Sequence, residues 1–225
     1  MAIDLKALDV TVANLSRRLL ECRTSAGYWK GELSSSALST ATAISTLALS
    51  DLDGVRYDAL IRGGLDWLIR TQNRDGGWGD TVLSLSNIST TALCLAAMEL
   101  ADDGTERCAR AIRSTERWLT YETGSLEPGP LAAAVVRRYG NDRTFSAPIL
   151  AVLALGGRLG RKGWRYVPQL PFELAALPQG WFRWLQLPVV SYALPALVAI
   201  GQLRHQRRPS LNPVSLALRR LTRER

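Results

Sequence analysis

The chain has 225 residues, 47% hydrophobic and 21% charged, which is long enough for a sizeable core and too apolar for a disordered chain. Its net charge of +8 is concentrated at the end, where Arg204, Arg207, Arg208, Arg219, Arg220, Arg223 and Arg225 face Glu224 alone. The basicity therefore belongs to a tail; with no aromatics interleaved it argues against nucleic-acid binding, and it fits an anionic membrane surface at least as well.

The first residues, "MAIDLKALDV", lack a cationic segment followed by an apolar core, so no signal peptide is read. Three cysteines without a close pair (Cys22, Cys94, Cys108) fit reduced thiols and a cytoplasmic setting. A single histidine, His205, argues against a His/Cys metal centre.

The first element, "LSRRLLECRTSAGYW", reads as a helix broken at Gly27 and closed by Trp29. "STATAISTLAL", from Ser39, follows as a small-residue apolar helix. "DLDG", Asp51 to Gly54, reads as a turn, because Asp and Gly are helix-end residues. The amphipathic "RYDALIRGGLDWLIRTQ" is then an outer, half-exposed helix. It runs into Asp75-Gly76-Gly77-Trp78, where glycine accepts positive φ and the tryptophan must pack nearby. "STTALCLAAMEL", from Ser89, is apolar nearly all round and belongs inside.

These segments repeat. Gly27 and Trp29 stand 49 positions before Gly76 and Trp78, and Ser39 stands 50 before Ser89. A fainter third unit has Trp118-Leu119 in place of Trp67-Leu68, a turn without tryptophan, and a second helix "FSAPILAVLALGG", Phe145 to Gly157. A period near 50 with two helices per unit predicts stacked or ring-packed helical hairpins. Outer amphipathic helices alternating with inner apolar ones describe an all-α fold, an α/α toroid. Eight or nine helices make about four hairpins. Two regions are expected, the toroid over residues 1–203 and a basic tail over 204–225.

Gly64, Trp67, Leu68, Gln72, Gly76 and Trp78 resemble the QW repeat of class II triterpene cyclases, the squalene–hopene and oxidosqualene cyclases. The Gly27-Tyr28-Trp29 turn is similar to the first such turn of squalene–hopene cyclases. "VPQLPFELAALPQGWFRWLQLPVVSYALPALVAIGQ" resembles their later Pro-rich loop and apolar helix. The resemblance covers Leu15 to about His205, points to the N-terminal, γ-type domain, and implies that about four hairpins leave the ring incomplete, with an apolar inner face that needs a partner. It implies that Gln72 and Trp78 tie neighbouring hairpins together, a structural role shared with Gly76, Gly27, Trp29 and Trp67. The pattern departs at Arg23, which stands where the glutamine should be, and the third unit has neither glutamine nor tryptophan.

Cyclases of this family protonate an alkene with an acid carried in Asp-x-Asp-Asp, a motif that the sequence does not contain. The inner-helix segments "TATAISTL" and "STTALCLA" also lack the glutamates many relatives carry there. The resemblance thus implies a cyclase domain inactive alone, with no catalytic residue, metal or cofactor of its own. Its expected partners are a squalene-like isoprenoid lipid, a second chain carrying the acid domain or a second copy of itself, and a peripheral contact with the inner membrane face. A non-catalytic isoprenoid- or partner-binding module is the alternative. Family resemblance places Tyr192 on the cavity wall through cation–π attraction to carbocations, with Trp181 and Trp184 as further cavity or membrane-interface candidates.

Three other features have plainer readings. "DDGTE", Asp102 to Glu106, reads as a solvated turn with Asp103 as N-cap rather than an Asp-rich metal motif. "LPVVSYALPALVAIG", Leu187 to Gly201, is too short to span a bilayer and reads as a buried helix kinked at Pro195. Cys94 reads as a core residue and His205 as solvated.

Overall fold

The computed structural model describes residues 4–31, 34–50, 56–176 and 193–209, with isolated positions at 180, 184, 213, 216 and 217. Among these residues there are eight α-helices, and the one piece of β-pairing is an isolated bridge between Arg23 and Trp29. The chain divides into two units, Met1–Ser35 and Ser36–Arg225.

The first unit is helix α1, Leu5–Glu21, followed by the Gly-Tyr-Trp turn. Asp4 caps it, its carboxylate accepting from the Lys6 and Ala7 amides. Leu5, Leu8, Val12, Leu15 and Leu19 recur at helical spacing, yet no residue of α1 is buried.

The second unit contains α2, Ala37–Ser50; α3, Asp58–Thr71; α4, Ile88–Leu100; α5, Glu106–Thr123; α6, Pro128–Tyr139; α7, Arg143–Leu155; and α8, Leu194–Arg207. Helices α2, α4 and α7 adjoin in that order, and α8 packs on α7. Helix α3 packs on α2, α5 on α4, and α3 on α5, which sets a layer of more polar helices behind the apolar ones.

Side-chain chemistry explains that layering. The α2 hydroxyls of Thr42, Thr46 and Ser50 donate to carbonyls one turn back, so a Ser/Thr-rich helix can be packed without orphaned donors. Helix α4 is buried without a break from Ser89 to Met98, mostly by Ala, Thr, Leu and Cys. Gly64 is where α3 presses on α2: a Cβ there would stand 2.9 Å from Ile44. The amphipathic α3 buries Leu65 and Leu68 and leaves its charged face outside.

The structure corrects several expectations. The third unit is not a simple hairpin, because α6 lies between α5 and α7; Pro128 occupies its first turn, where a missing amide costs nothing. Pro195 likewise falls in the first turn of α8 and starts that helix rather than kinking it. Helix α8 buries only Gly201 and Arg204, so it is not the fully buried helix expected. It ends at Arg207. Arg204 is buried and its Nε donates to the Val167 carbonyl at 3.0 Å, while His205 is half-buried with its ring 6.1 Å from Phe172. Asp51 to Gly54 lies outside the described residues.

Candidate functional site

The most organised polar site of the second unit grows from the end of α3. Gln72 follows the last helical residue with extended backbone, and the chain turns back on itself through Asn73 and Gly76. The Gly76 amide donates to the Asn73 carbonyl at 2.9 Å, and the Asn73 amide donates to the Gly77 carbonyl at 3.0 Å. Gly76 has φ +95°, and a Cβ there would stand 2.6 Å from the Ser114 carbonyl of α5. Both conditions require glycine.

The Gln72 amide nitrogen lies 2.9 Å from the Gly76 carbonyl, 3.1 Å from the Ala111 carbonyl and 3.0 Å from the Thr115 hydroxyl. It therefore joins its own turn to the next outer helix, α5. Trp78, 1% exposed, donates from its indole to the Leu68 carbonyl at 3.0 Å. Its backbone amide donates to the Thr91 hydroxyl, which in turn donates to the Trp78 carbonyl. Trp78 thus ties α3 to the start of α4. Trp67 packs half-buried against the core.

Thr91, Thr115 and Asp80 are participants that the spacing does not single out. Asp80 accepts from the Asn87 amide and the Thr90 hydroxyl, bracing the cap of α4. Their only signal in sequence is a polar residue at an otherwise apolar or turn position.

The Gly27-Tyr28-Trp29 turn repeats this geometry within the first unit. Gly27 has φ +86°, its amide donates to the Thr24 carbonyl at 2.9 Å, and the Thr24 amide donates to the Tyr28 carbonyl at 2.9 Å. Arg23 stands in for glutamine: its Nε donates to the Gly27 carbonyl at 2.8 Å. Trp29 donates to the Leu19 carbonyl at 2.6 Å but remains 48% exposed.

A second polar feature closes the other end of α4. Glu99 and Arg158, the latter just after α7, form an ion pair at 2.7 Å with both side chains largely covered. Burial pushes the Glu99 carboxyl above its usual range, outweighing the nearby guanidinium that pulls it down. Helix α4 therefore does carry a carboxylate, beyond the "STTALCLA" stretch that has none.

Asp102, Asp103 and Cys108 bring three potential metal-donor atoms within 4.8 Å of one another. The cap of α5, however, is Thr105, whose hydroxyl accepts from the Cys108 amide, and not Asp103 as expected. Asp103 instead receives hydrogen bonds from the Thr105 amide and hydroxyl, which hold its carboxyl below the usual range. Burial and the two carboxylates push the Cys108 thiol up to about 11, so it is protonated at neutral pH.

Of the aromatic cavity candidates, Tyr192 and Trp181 lie outside the described residues, and Trp184 is 82% exposed. Trp164 and Tyr166 pack half-buried on the core. Cys94 is buried in α4, and that burial raises its thiol pKa well above the usual value. Among the described residues, no helix is long and apolar enough to cross a membrane.

Comparison with curated proteins finds no match. Residues 12–128 match the squalene-hopene cyclase N-terminal domain, a span that runs from α1 through both Gly/Trp turns and α5 to the first residue of α6. The chain therefore belongs to the squalene-hopene cyclase N-terminal domain family.

Proposed function

We propose that the chain serves a squalene–hopene-type class II cyclase as a domain that shapes the apolar cavity for a C30 isoprenoid, while the protonating acid comes from another domain or chain. The family match over residues 12–128 carries this reading. The Gly/Trp turn at Trp78 supports it, because Gln72 and Trp78 tie α3 to α5 and α4 and so stiffen the scaffold around a cavity. The sequence holds no Asp-x-Asp-Asp, so the chain on its own is expected to bind but not cyclise.

The test is incubation of the purified chain with squalene, alone and mixed with a protein carrying the Asp-x-Asp-Asp domain of a squalene–hopene-type cyclase. No product alone and a polycyclic triterpene from the mixture, beyond what the acid-bearing domain forms unaided, is the expected result. A product from the chain alone overturns the missing acid. No gain in the mixture overturns the cyclase reading in favour of the second one, a non-catalytic isoprenoid- or partner-binding module. That alternative draws its support from the same missing motif.

A further inference from the structure

Helix α5 sets one stripe of side chains toward α3: Arg107, Arg110, Ser114 and Arg117, spaced so that they share a face. With Ile69 and Gln72 across from them they border a groove of about 370 Å³, room for about a dozen waters. Three arginines border it and, among the described residues, no carboxylate does. The groove is fixed in advance, because the Gln72 amide donates to the Ala111 carbonyl and the Thr115 hydroxyl of α5. A ligand entering it therefore loses little free energy to ordering the protein.

The acidic groups nearby are engaged or lie to the side. Asp66 takes Arg107 at 3.2 Å in an exposed pair, and Glu106 takes Arg113 at 2.7 Å. Asp75 accepts from the Ser86 hydroxyl and the Gly77 amide. Glu116 and Glu122 border neighbouring grooves that share Arg117. Arg110 and Arg117 form no ion pair among the described residues. Two helical turns, about 10 Å of rise, separate them, which suits an anion charged at both ends. A guanidinium fork matches the paired oxygens of a phosphate, and the Ser114 hydroxyl between the two arginines adds a further donor. A hydrocarbon gains nothing from such a lining, and a stable protein interface takes roughly 20–30 residues per side.

We propose that this groove binds a small soluble anion of the diphosphate class, with Arg110 and Arg117 at its two ends and Ser114 between them. The site goes beyond the cyclase reading and stands or falls without it, since a C30 hydrocarbon carries no charge. The experiment is isothermal titration of the full chain with inorganic diphosphate, at low and at physiological salt. One saturable event per chain is expected. Arg110→Gln and Arg117→Gln each weaken it about threefold, and together about tenfold or more. Arg110→Lys/Arg117→Lys, which keeps the charges and loses the forks, falls between the wild type and the double glutamine variant. Arg113→Gln, which removes a charge outside the groove, changes the affinity less than about twofold. Equal melting temperatures without ligand establish that the variants are folded, and the lysine pair carries the test should the glutamine pair fail to fold. No saturable binding, or a double variant that binds as well as wild type, overturns the proposal. So does an Arg113→Gln loss equal to that of Arg110→Gln, or sulfate binding as tightly as diphosphate, since either marks general charge attraction.

Discussion

The two Gly/Trp turns are built alike and buried differently. Trp29 and Trp78 each donate to a carbonyl ten residues back, Leu19 and Leu68, and Gly27 and Gly76 share positive φ. Arg23 and Gln72 each donate to the carbonyl of the turn glycine. Yet Trp29 is 48% exposed and Trp78 1%. The turn is therefore a local structure that its own glycine and nitrogen donors specify, whereas its contribution to stability comes from the helices packed around it. What distinguishes the second turn is reach: Gln72 also bonds Ala111 and Thr115 of α5, and Trp78 bonds Thr91 of α4.

Substitutions can break or sharpen that contrast. The largest effect is expected from tryptophan. Trp78→Ala should cost about 3–5 kcal/mol in urea unfolding, as large core truncations do, and Trp29→Ala about 1 kcal/mol or less. Equal losses would mean that the first turn is buried in solution. Glycine comes next. Gly76→Ala must accommodate both a positive φ and a Cβ against the Ser114 backbone and should cost about 2–4 kcal/mol, whereas Gly27→Ala shares the positive φ but its Cβ meets only the movable Arg23 side chain, and it should cost about 1 kcal/mol. The same unfolding curves measure both.

The staple residue follows. Gln72→Ala removes the donor to three acceptors and should cost about 1–3 kcal/mol, while Arg23→Gln retains the bond to the Gly27 carbonyl, loses only the exposed guanidinium–Trp29 contact and should cost about 0.5–1 kcal/mol. The smallest effect is a rate. Exposed Cys22, beside Arg23, should react with a thiol reagent at pH 8 well ahead of buried Cys94 and of Cys108, whose thiol is held at about 11. Three thiols reacting at one rate in the native protein would contradict the burial of α4 and α5.

The sequence reveals the turns because their requirements are local: a glycine with positive φ, a tryptophan two residues on, and a nitrogen donor four residues before that glycine. It also reveals the buried helices, since "STTALCLAAMEL" has no polar face to offer water. The partners of the turn are less legible. Thr91 and Thr115 lie 13 and 43 residues from the atoms they bond, and nothing in their neighbourhoods marks them. The same distance effect conceals Arg158, which meets Glu99 across 59 residues. Asp103 is the cap that the sequence suggests for α5, but the Thr105 hydroxyl, one position before the helix, takes that place. His205 shows that charge around a residue does not keep it in water, because the helix carrying it packs that side chain beside Phe172.

Helix α4 has one more consequence. It touches α2, α5, α6 and α7, so neighbours both early and late in the chain depend on it. In a linear array of repeats each unit leans only on the next, and the ends can melt or be trimmed one at a time. Here the second unit should instead unfold as one body. Its slowest-exchanging amides should fall between Ser89 and Met98, and a chain cut short before α4 should retain no folded remnant of α2 and α3.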